Sequence, residues 1–425
     1  MEILKQLYIR LYIIVLGMYI YLGKGIAYGF FAEALLILGV ILIFRYRKNF
    51  EILWDKQMQL LVVFILLTFF FILRGFSAYN PLDVIRDSFL FNYAFFAFIV
   101  FLFKDDISYF KEGVLQIYKY YPLVQCVLLL LSFIPFMEEL ELFPGRHLLY
   151  FKYGDMAVHL FVVTIFSLSG WIKYKPRYEI INYILIAYLY MIASSYNRGG
   201  MVGFLFCFVI FYFCLKDQSL KQKMSGYLKW FPIILLAALP FFAITQMEEN
   251  FQGRKAGFDQ LKDNITSVVT SNGDGSLEDN KVWRLVWWTK IIDYTFGGQY
   301  FFQGKGLGPA LASADEIVLD DTEDELRSPH NFNLTILARF GVPVFLLWLY
   351  WLYLLIRDLF RKNTTQLSFV YLIVICMFLF NASFDVFLEG PMGALPFWTI
   401  IGLRYMENTF AVSGEQAVQN KTISA

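Results

Sequence analysis

Charged residues are scarce in this chain, and histidine and cysteine are scarcer still. Lys, Arg, Asp and Glu make up 17% of the 425 residues, whereas hydrophobic residues make up 58%. A soluble protein needs a more polar surface than this composition can supply, so the chain is predicted to lie in a membrane. The net charge of +1 leaves no clustered basic face for a nucleic acid, and we expect no nucleic-acid partner.

The cysteines offer neither a disulfide framework nor a metal site. All four lie inside apolar runs and form no CxxC pair, so they are interpreted as small buried hydrophobic residues. The N-terminus has no short apolar stretch followed by a small-residue cleavage site. Its first apolar stretch, 7–22, is therefore predicted to be a retained membrane span.

Apolar runs long enough to cross about 30 Å of hydrocarbon recur along the chain. They predict an all-α, polytopic membrane protein with about 12 transmembrane helices and one large extracytoplasmic loop. The predicted spans are 7–23, 26–44, 58–73, 88–103, 114–136, 157–172, 179–196, 200–215, 229–246, 342–356, 366–384 and 390–403.

The basic residues predict how these spans are oriented. Lys and Arg cluster in the connections after the second, sixth, eighth and tenth spans, and short basic loops stay in the cytoplasm. Both termini are therefore predicted to be cytoplasmic. The resulting division is 1–246 for nine spans, 247–341 for the outer loop, 342–404 for three spans and 405–425 for a cytoplasmic tail.

The outer loop is predicted to be a small subdomain. Residues 264–280 are rich in Ser, Asp, Gly and Asn, which favours a mobile stretch. Residues 281–296 carry three tryptophans and interleaved cations, which is typical of a helix in the lipid headgroup layer. The acidic residues 315–325 are interpreted as a solvated, flexible lid rather than a metal site.

His330 is one of three histidines and lies in the sequence Ser-Pro-His-Asn. Ser328 is a favoured N-cap, and the apolar residues that follow repeat at helical spacing as far as Gly341, which suits a helix C-terminus. The pattern places His330 in the first turn of a helix, where the helix dipole keeps an imidazole neutral and able to accept a proton. The alternative is a histidine that only packs at the membrane interface.

Arginines in loops that are predicted to lie outside the cytoplasm are not explained by the preference of basic residues for cytoplasmic loops. Arg198 lies in Asn-Arg-Gly-Gly between two spans, where Gly199 permits close approach of a ligand and a guanidinium can grip a phosphate. The alternative is an interfacial anchor. Arg284 is predicted to begin the Trp-rich helix, and the glycines of 304–308 could form a backbone nest for an anion.

Taken in order, these motifs resemble the O-antigen ligase and O-antigen polymerase superfamily. The features are a long loop after the ninth span, Arg198, Arg284, the 304–308 glycines, and His330 with Gly341 eleven residues later. The resemblance covers about residues 140–403. Many ligases have Leu four residues after the arginine, whereas this chain has Trp288, which favours a polymerase-like relative.

The resemblance implies a GT-C-like membrane glycosyltransferase that needs no metal or other cofactor. The implied donor is an undecaprenyl-pyrophosphate-linked glycan, and the implied location is a bacterial inner membrane. Membrane lipids, a glycan acceptor and other polysaccharide-assembly proteins are the further implied partners. The implied site residues are His330 as base, Arg198, Arg284, Arg146 and Arg327 for the pyrophosphate, and Gly199, Asn331 and Gly341 as structural motif positions.

Three classes of function remain open. The preferred one is a polymerase of repeat units, with a ligase that transfers the glycan to lipid A-core or another acceptor as its near neighbour. A transporter of lipid-linked glycans could use the same arginines without His330. A membrane scaffold or sensor would need none of these residues.

Overall fold

The computed structural model describes residues 2–47, 55–244, 257–269, 275–317, 326–361 and 364–423. These residues are almost entirely helical, with one small antiparallel hairpin of β1 (Glu141–Phe143) and β2 (Arg146–His147). The helices are α1 (Glu2–Leu22), α2 (Phe31–Arg45), α3 (Lys56–Phe76), α4 (Pro81–Asn92), α5 (Phe95–Ile99), α6 (Ile107–Leu131), α7 (Pro135–Glu138), α8 (Tyr153–Leu168), α9 (Pro176–Tyr196), α10 (Arg198–Cys214), α11 (Gln218–Ile244), α12 (Phe258–Val269), α13 (Gly275–Phe296), α14 (Leu311–Ala314), α15 (Phe332–Phe360), α16 (Gln366–Ala382) and α17 (Pro391–Ile423). Short 3₁₀ turns lie at Gly23–Ile26, Val100–Asp106 and Phe387–Glu389.

Several of these helices can cross a membrane. Among the described residues, six helical stretches are long and apolar enough, and three shorter helices, α8, α10 and α16, are also apolar. The shortest of the six has 21 residues, which at about 1.5 Å per residue spans the hydrocarbon core. The prediction of an all-α, multi-pass membrane protein is therefore confirmed, while the number of about 12 spans stays a prediction.

The predicted span 88–103 is wrong as a single helix. Asn80 caps α4, and α4 ends at Asn92, so the first residues of the predicted span belong to a separate helix with Asp83, Arg86 and Asp87. The apolar run then continues from Phe95 through a 3₁₀ turn directly into α6. Hydropathy could not reveal this break because both sides of it are apolar.

α13, α14 and the start of α15 pack as a small subdomain on the bundle. Trp287 and Ile291 of α13 form a buried cluster with Leu311 and with Leu337 and Val342 of α15. The opposite face of α13 keeps several apolar side chains exposed, as an interfacial helix would.

The predicted mobile stretch 264–280 is helical at both ends. Asn264 belongs to α12 and donates to the carbonyl oxygens of Ser194 and Ser195 at 2.8 and 2.7 Å. α13 begins at Gly275, and residues 270–274 lie outside the described residues. Arg284 therefore lies inside α13 and does not begin it, which corrects the sequence-based prediction.

The prediction of a solvated, flexible lid over 315–325 is wrong for its first residue, Asp315. The Asp315 side chain is fully buried, and it accepts a hydrogen bond from the indole of Trp287 and pairs with Lys305. Residues 318–325 of the predicted lid lie outside the described residues.

The start of α15 differs from the predicted one by several residues. Asn331, not Ser328, is the N-cap, and its side chain accepts from the backbone nitrogens of Asn333 and Leu334 at 3.0 and 3.2 Å. His330 therefore lies just before the helix and not in its first turn. An Asn side chain in this position satisfies the first turn more directly than the upstream serine could.

Gly341 interrupts α15 at a backbone conformation that is reserved for glycine. Its φ is 79° and its ψ is −178°, a region that residues with a Cβ essentially avoid. A Cβ there would lie 2.5 Å from the Phe301 carbonyl oxygen, and Val342 donates its amide hydrogen to that same oxygen at 2.7 Å. The glycine thus lets α15 press directly against the 301–304 turn, which gives the spacing from His330 to Gly341 a structural reason.

Replacing Gly341 with Ala should destabilise the protein by roughly 1–3 kcal/mol from backbone strain, with a further loss from the clash at Phe301. Gly170→Ala is the matched control, because Gly170 also has a positive φ of 75° but has no atom within 4 Å of an added Cβ. Thermal unfolding in detergent should show the larger drop in midpoint for Gly341→Ala. Equal drops would remove the argument from close packing.

Candidate active site

His330 occupies a strained backbone position at the edge of the bundle. Its φ of 54° is in the left-handed region, where a residue other than glycine is uncommon. The Ser328 hydroxyl accepts from the His330 backbone nitrogen at 3.2 Å, and Trp288 donates its indole hydrogen to the carbonyl oxygen of Pro329 at 2.8 Å. The surrounding contacts therefore hold His330 where the backbone alone would not place it.

Trp283 contacts the ring of His330 directly. The two ring centroids are 5.6 Å apart and the ring planes meet at 88°, an edge-to-face arrangement. Trp288, on the same helix, fixes the preceding carbonyl, which a leucine at that position could not do. The two tryptophans of α13 thus position the histidine, Trp283 through its ring and Trp288 through the preceding carbonyl.

The segment from Ser383 to Glu389, which follows α16, joins the elements around His330. Asn333 donates to the Ser383 hydroxyl at 3.2 Å, and Thr335 donates to the Glu389 carboxylate at 2.8 Å, so both ends of the segment are tied to the first turns of α15. Arg284 donates to the carbonyl oxygen of Phe384 at 3.0 Å. This 383–389 segment therefore brings α13, α15 and α16 together at one point.

Lys152 and Asp385 form an ion pair at this point. The Lys152 ammonium lies 2.9 Å from the Asp385 carboxylate and 3.6 Å from Asp155, and the three side chains are only 16%, 14% and 7% exposed. Asn381 approaches the Asp155 carboxylate at 3.5 Å. An ammonium group is thus held between two carboxylates, one in the first turn of α8 and one just after the end of α16.

Burial keeps His330 neutral. Loss of hydration lowers the pKa of His330 to about 4, because the charged imidazolium is poorly solvated there. The Asp385 carboxylate opposes this effect, whereas the positive charges of Arg284 and Lys152 add to it. The sequence argument ascribed a neutral imidazole to the helix dipole; the larger cause is burial.

The carboxylate of Asp385 stays ionised in spite of its burial. Burial alone would raise the pKa of Asp385, but the positive charge of Lys152 outweighs burial and holds this pKa below its ordinary value. Burial likewise works to lower the pKa of Lys152, and the two neighbouring carboxylates outweigh it and raise that pKa. The site therefore holds a neutral imidazole beside an anion and a cation that are both fixed.

The Asn-Arg-Gly-Gly motif packs against the same elements. Asn197 caps α10 by accepting from the Gly200 nitrogen at 2.7 Å, and Arg198 is the first residue of that helix. A Cβ on Gly199 would lie 3.8 Å from the Cβ of Phe384, so the motif adjoins the 383–389 segment. Arg198, Arg284 and His330 are thus all attached to elements that meet at this segment.

Arg327 is committed elsewhere, which corrects its prediction as a pyrophosphate ligand. Its Nε donates to one oxygen of Asp87 and a terminal nitrogen donates to the other, each at 2.9 Å. The same terminal nitrogen also donates to the Gly308 carbonyl oxygen at 2.7 Å. A bidentate pair of this kind uses the N–H edge of the guanidinium that a phosphate would need. Arg146 is in the β-hairpin, with its guanidinium 4.4 Å from the centroid of the Tyr28 ring, and its role as a phosphate ligand stays a prediction.

The 304–308 glycines bind groups of the protein itself. The backbone nitrogens of Lys305 and Gly306 donate to carbonyl oxygens of α15 at 2.7 and 2.8 Å, and Gly308 donates to the Asp87 carboxylate at 2.9 Å. The predicted nest for a ligand anion is therefore wrong for these groups. The fully buried Arg339 also pairs with Asp87, at 2.8 Å, so this carboxylate anchors the loop to α4.

Lys152, Asp155 and Asp385 were missed by the sequence analysis. Their signal was weak but present, since a Lys and two Asp stand at the borders of strongly apolar segments, where a charge needs a partner or a function. Within the described ranges, no three His, Cys, Asp or Glu side chains are placed to hold a metal ion.

The comparison with known proteins agrees with these motifs. A family model described as O-antigen ligase matches residues 181–349, which run from α9 into α15 and include Arg198, Arg284, His330 and Gly341. Lys152 and Asp385 lie outside the matched range, and no curated protein matches the chain. Residues 181–349 are thus similar to the O-antigen ligase family, and over that part of the chain the match confirms the resemblance to the O-antigen ligase and polymerase superfamily.

Proposed function

We propose that this protein is a membrane glycosyltransferase that polymerises undecaprenyl-pyrophosphate-linked oligosaccharide repeat units. The observation that carries the proposal is a neutral, half-buried His330 beside the Lys152–Asp385 ion pair and Arg284. A ligase that transfers the glycan to lipid A-core or another acceptor is the near alternative. The family match supports both activities equally.

The proposed reaction is a direct, inverting displacement with His330 as general base. An acceptor hydroxyl attacks the anomeric carbon of the donor, and His330 takes the hydroxyl proton as the new glycosidic bond forms. The bond to undecaprenyl pyrophosphate breaks, and the leaving group departs with the electron pair. The Asp385 carboxylate stabilises the imidazolium that results, as a carboxylate does beside a catalytic histidine elsewhere.

Arg198 and Arg284 are the proposed ligands of the pyrophosphate. Negative charge grows on the leaving group in the transition state, and a fixed guanidinium in a site shielded from water stabilises it. Arg284 is already oriented by its hydrogen bond to Phe384. Lys152 adds positive charge nearby, although its two carboxylate neighbours bind it first.

Trp288 supports the polymerase over the ligase. Ligases with Leu at this position would lack the indole donor that fixes Pro329 beside the base. Identifying the acceptor that receives the glycan would distinguish a polymerase from a ligase. A polymerase lengthens a lipid-linked glycan in steps of one repeat unit, whereas a ligase attaches the finished chain to lipid A-core.

The proposal requires residues 247–341 to face outward from a bacterial inner membrane, with both termini in the cytoplasm. Phe302 is 77% exposed in this loop and suits a cysteine probe. Phe302→Cys in a cysteine-free background should react with an impermeant thiol reagent in cells whose outer membrane alone is permeabilised. Reaction only after the inner membrane is broken would reverse the orientation.

His330→Ala should lower the rate of glycan transfer by the ~10² to 10⁴ typical of losing a general base, with donor binding and folding kept. His147→Ala is the matched control, because it removes an outer-loop histidine in the β-hairpin. Elongation of purified lipid-linked units in proteoliposomes measures the effect, and a chelator should leave the wild-type rate unchanged. Full activity of His330→Ala would favour a transporter of the same lipid-linked glycans.

Arg284→Lys should lose activity, because an ammonium group lacks the planar fork that can bind a phosphate and the Phe384 carbonyl together. Arg74→Lys is the control, since Arg74 also donates to a backbone carbonyl, that of Gln303 at 3.0 Å. Transfer rates and retention of the lipid-linked donor should fall for Arg284→Lys alone. A fully active Arg284→Lys would reduce this residue to general electrostatics.

A further inference from the structure

The indole of Trp283 contacts both the proposed base and a proposed ligand of the leaving group. Its ring centroid lies 5.6 Å from that of His330, and the guanidinium carbon of Arg284 lies 5.4 Å from the centroid of the same indole. In the proposed reaction the anomeric carbon of the donor lies between the nucleophile that His330 deprotonates and the pyrophosphate. The indole of Trp283 is therefore part of the wall beside the reacting atoms.

The core of the subdomain holds this indole in place. Trp287 lies about one helical turn further along α13, and its ring centroid is 6.0 Å from that of Trp283. Trp287 is fully buried in the cluster that joins α13 to α15, and it donates its indole hydrogen to Asp315 at 2.5 Å. A neighbour that is packed and hydrogen-bonded in this way limits how far the Trp283 ring can move.

Water competes with the acceptor in a reaction of this kind. A base that takes a proton from a sugar hydroxyl can take one from water as well, and water is far more abundant than any glycan at a membrane surface. Attack by water would release the glycan from its lipid without lengthening any chain. A transferase therefore gains from keeping water away from its base, and the exclusion of water from an active site prevents side reactions such as this hydrolysis.

The structure limits the hydration of His330 on the side of Trp283. His330 is half-buried, and loss of hydration is the largest cause of its lowered pKa. An indole accepts no hydrogen bond, so water gains little by lying against its ring. The charged neighbours Lys152 and Asp385 are paired with each other at 2.9 Å and would attract water rather than exclude it. Trp283 thus supplies an apolar cover on the imidazole.

We propose that Trp283 is a specificity-determining residue that favours a glycan hydroxyl over water as the nucleophile. This inference rests on the proposed glycosyltransferase function. Without the indole, a water molecule reaches His330, its oxygen bonds to the anomeric carbon and its proton passes to the imidazole. The bond to undecaprenyl pyrophosphate breaks, the pyrophosphate leaves with the electron pair, and His330 returns the proton to solvent. The other product is a free reducing glycan.

Three substitutions of Trp283 and one matched control test this role. Trp283→Ala removes the indole, and Trp283→Gln replaces it with a hydrated side chain. Trp283→Phe restores an apolar ring. Trp230→Ala is the control, because Trp230 lies on α11 and is 61% exposed. Purified lipid-linked repeat units in proteoliposomes serve as donor and acceptor together. Hydrolysis yields free reducing glycan, and transfer yields lengthened lipid-linked glycan.

The ratio of free glycan to lengthened glycan should rise about tenfold or more in Trp283→Ala and Trp283→Gln. Trp283→Phe should restore a ratio within about threefold of the wild type, and Trp230→Ala should leave the ratio unchanged. Damage to packing alone would lower both products and leave their ratio as it was. Adding His330→Ala to Trp283→Ala should abolish the extra hydrolysis, because water and the acceptor use the same base.

A second measurement needs no substrate and so does not depend on the proposed function. Diethyl pyrocarbonate modifies neutral imidazoles that solvent can reach. Mass spectrometry of the peptide that carries His330 should show about tenfold faster modification in Trp283→Ala than in the wild type, with the full-length protein in detergent at neutral pH. Trp230→Ala should be modified at the wild-type rate.

An unchanged product ratio in active Trp283→Ala and Trp283→Gln would overturn the inference, whatever the rate of modification. Extra hydrolysis that persists without His330 would overturn it as well. If neither variant makes either product, the modification of His330 decides, and an unchanged rate counts against the inference. Faster modification in Trp283→Ala, together with a wild type that transfers no glycan, would support the barrier to water and contradict the glycosyltransferase.

Discussion

The ion pair between Lys152 and Asp385 joins the start of α8 to the segment that follows α16. Both side chains are largely buried, so each charge has lost most of its hydration and depends on its partner. Removing one partner of such a pair costs about 3–5 kcal/mol, since the other charge is left buried alone. The pair fixes the 383–389 segment, and through it the contact of Arg284 with Phe384 and the ties to α15.

A second carboxylate anchors α15 and the loop that packs on it. Asp87 receives Arg327 in a bidentate pair and Arg339 at 2.8 Å, and it also accepts from the Gly308 nitrogen. This network fixes the 304–308 loop and the residues just before His330. The subdomain of α13, α14 and the start of α15 therefore supports the histidine, and the contacts around His330 maintain its left-handed backbone.

The sequence predicted what depends on local chemistry. The predicted all-helical, multi-pass membrane architecture is confirmed. His330, Arg198, Arg284 and Gly341 could be singled out because rare residue types in short motifs can be recognised without the fold, and the roles of His330, Arg198 and Arg284 in the reaction stay proposals. The sequence could not predict the partners. From the sequence, Arg327 was expected to bind a phosphate, but the fold pairs it with Asp87, 240 positions earlier. Lys152 could be recognised as part of the site only once the fold showed that α8 and α16 lie together.

Two of the errors, the helix N-cap and the anion nest, have one cause, which is competition among nearby polar groups for the same backbone atoms. Ser328 and Asn331 both suit a helix N-cap, and the fold selects Asn331 because Ser328 is occupied by the His330 nitrogen and by Thr335. The glycines of 304–308 suit an anion nest, but in the fold the backbone nitrogens of Lys305 and Gly306 donate to carbonyl oxygens of α15 instead. Local sequence preference identifies the residues that could cap a helix or bind an anion, and tertiary contacts determine which of them do.

The central claim is that burial keeps His330 neutral and ready to accept a proton, and the pH dependence of kcat/KM for the lipid-linked donor tests it most directly. Since burial lowers the pKa of His330 to about 4 from an ordinary value of 6.5, the folded protein resists protonation in this range while the unfolded chain binds a proton. Stability should therefore decline below pH 6.5, and rates must be normalised to the folded fraction. The normalised rate should stay level from pH 8 to about 5 and fall only as the pH approaches about 4. A fall with a midpoint near 6.5 would show an imidazole in ordinary contact with water and would contradict the account.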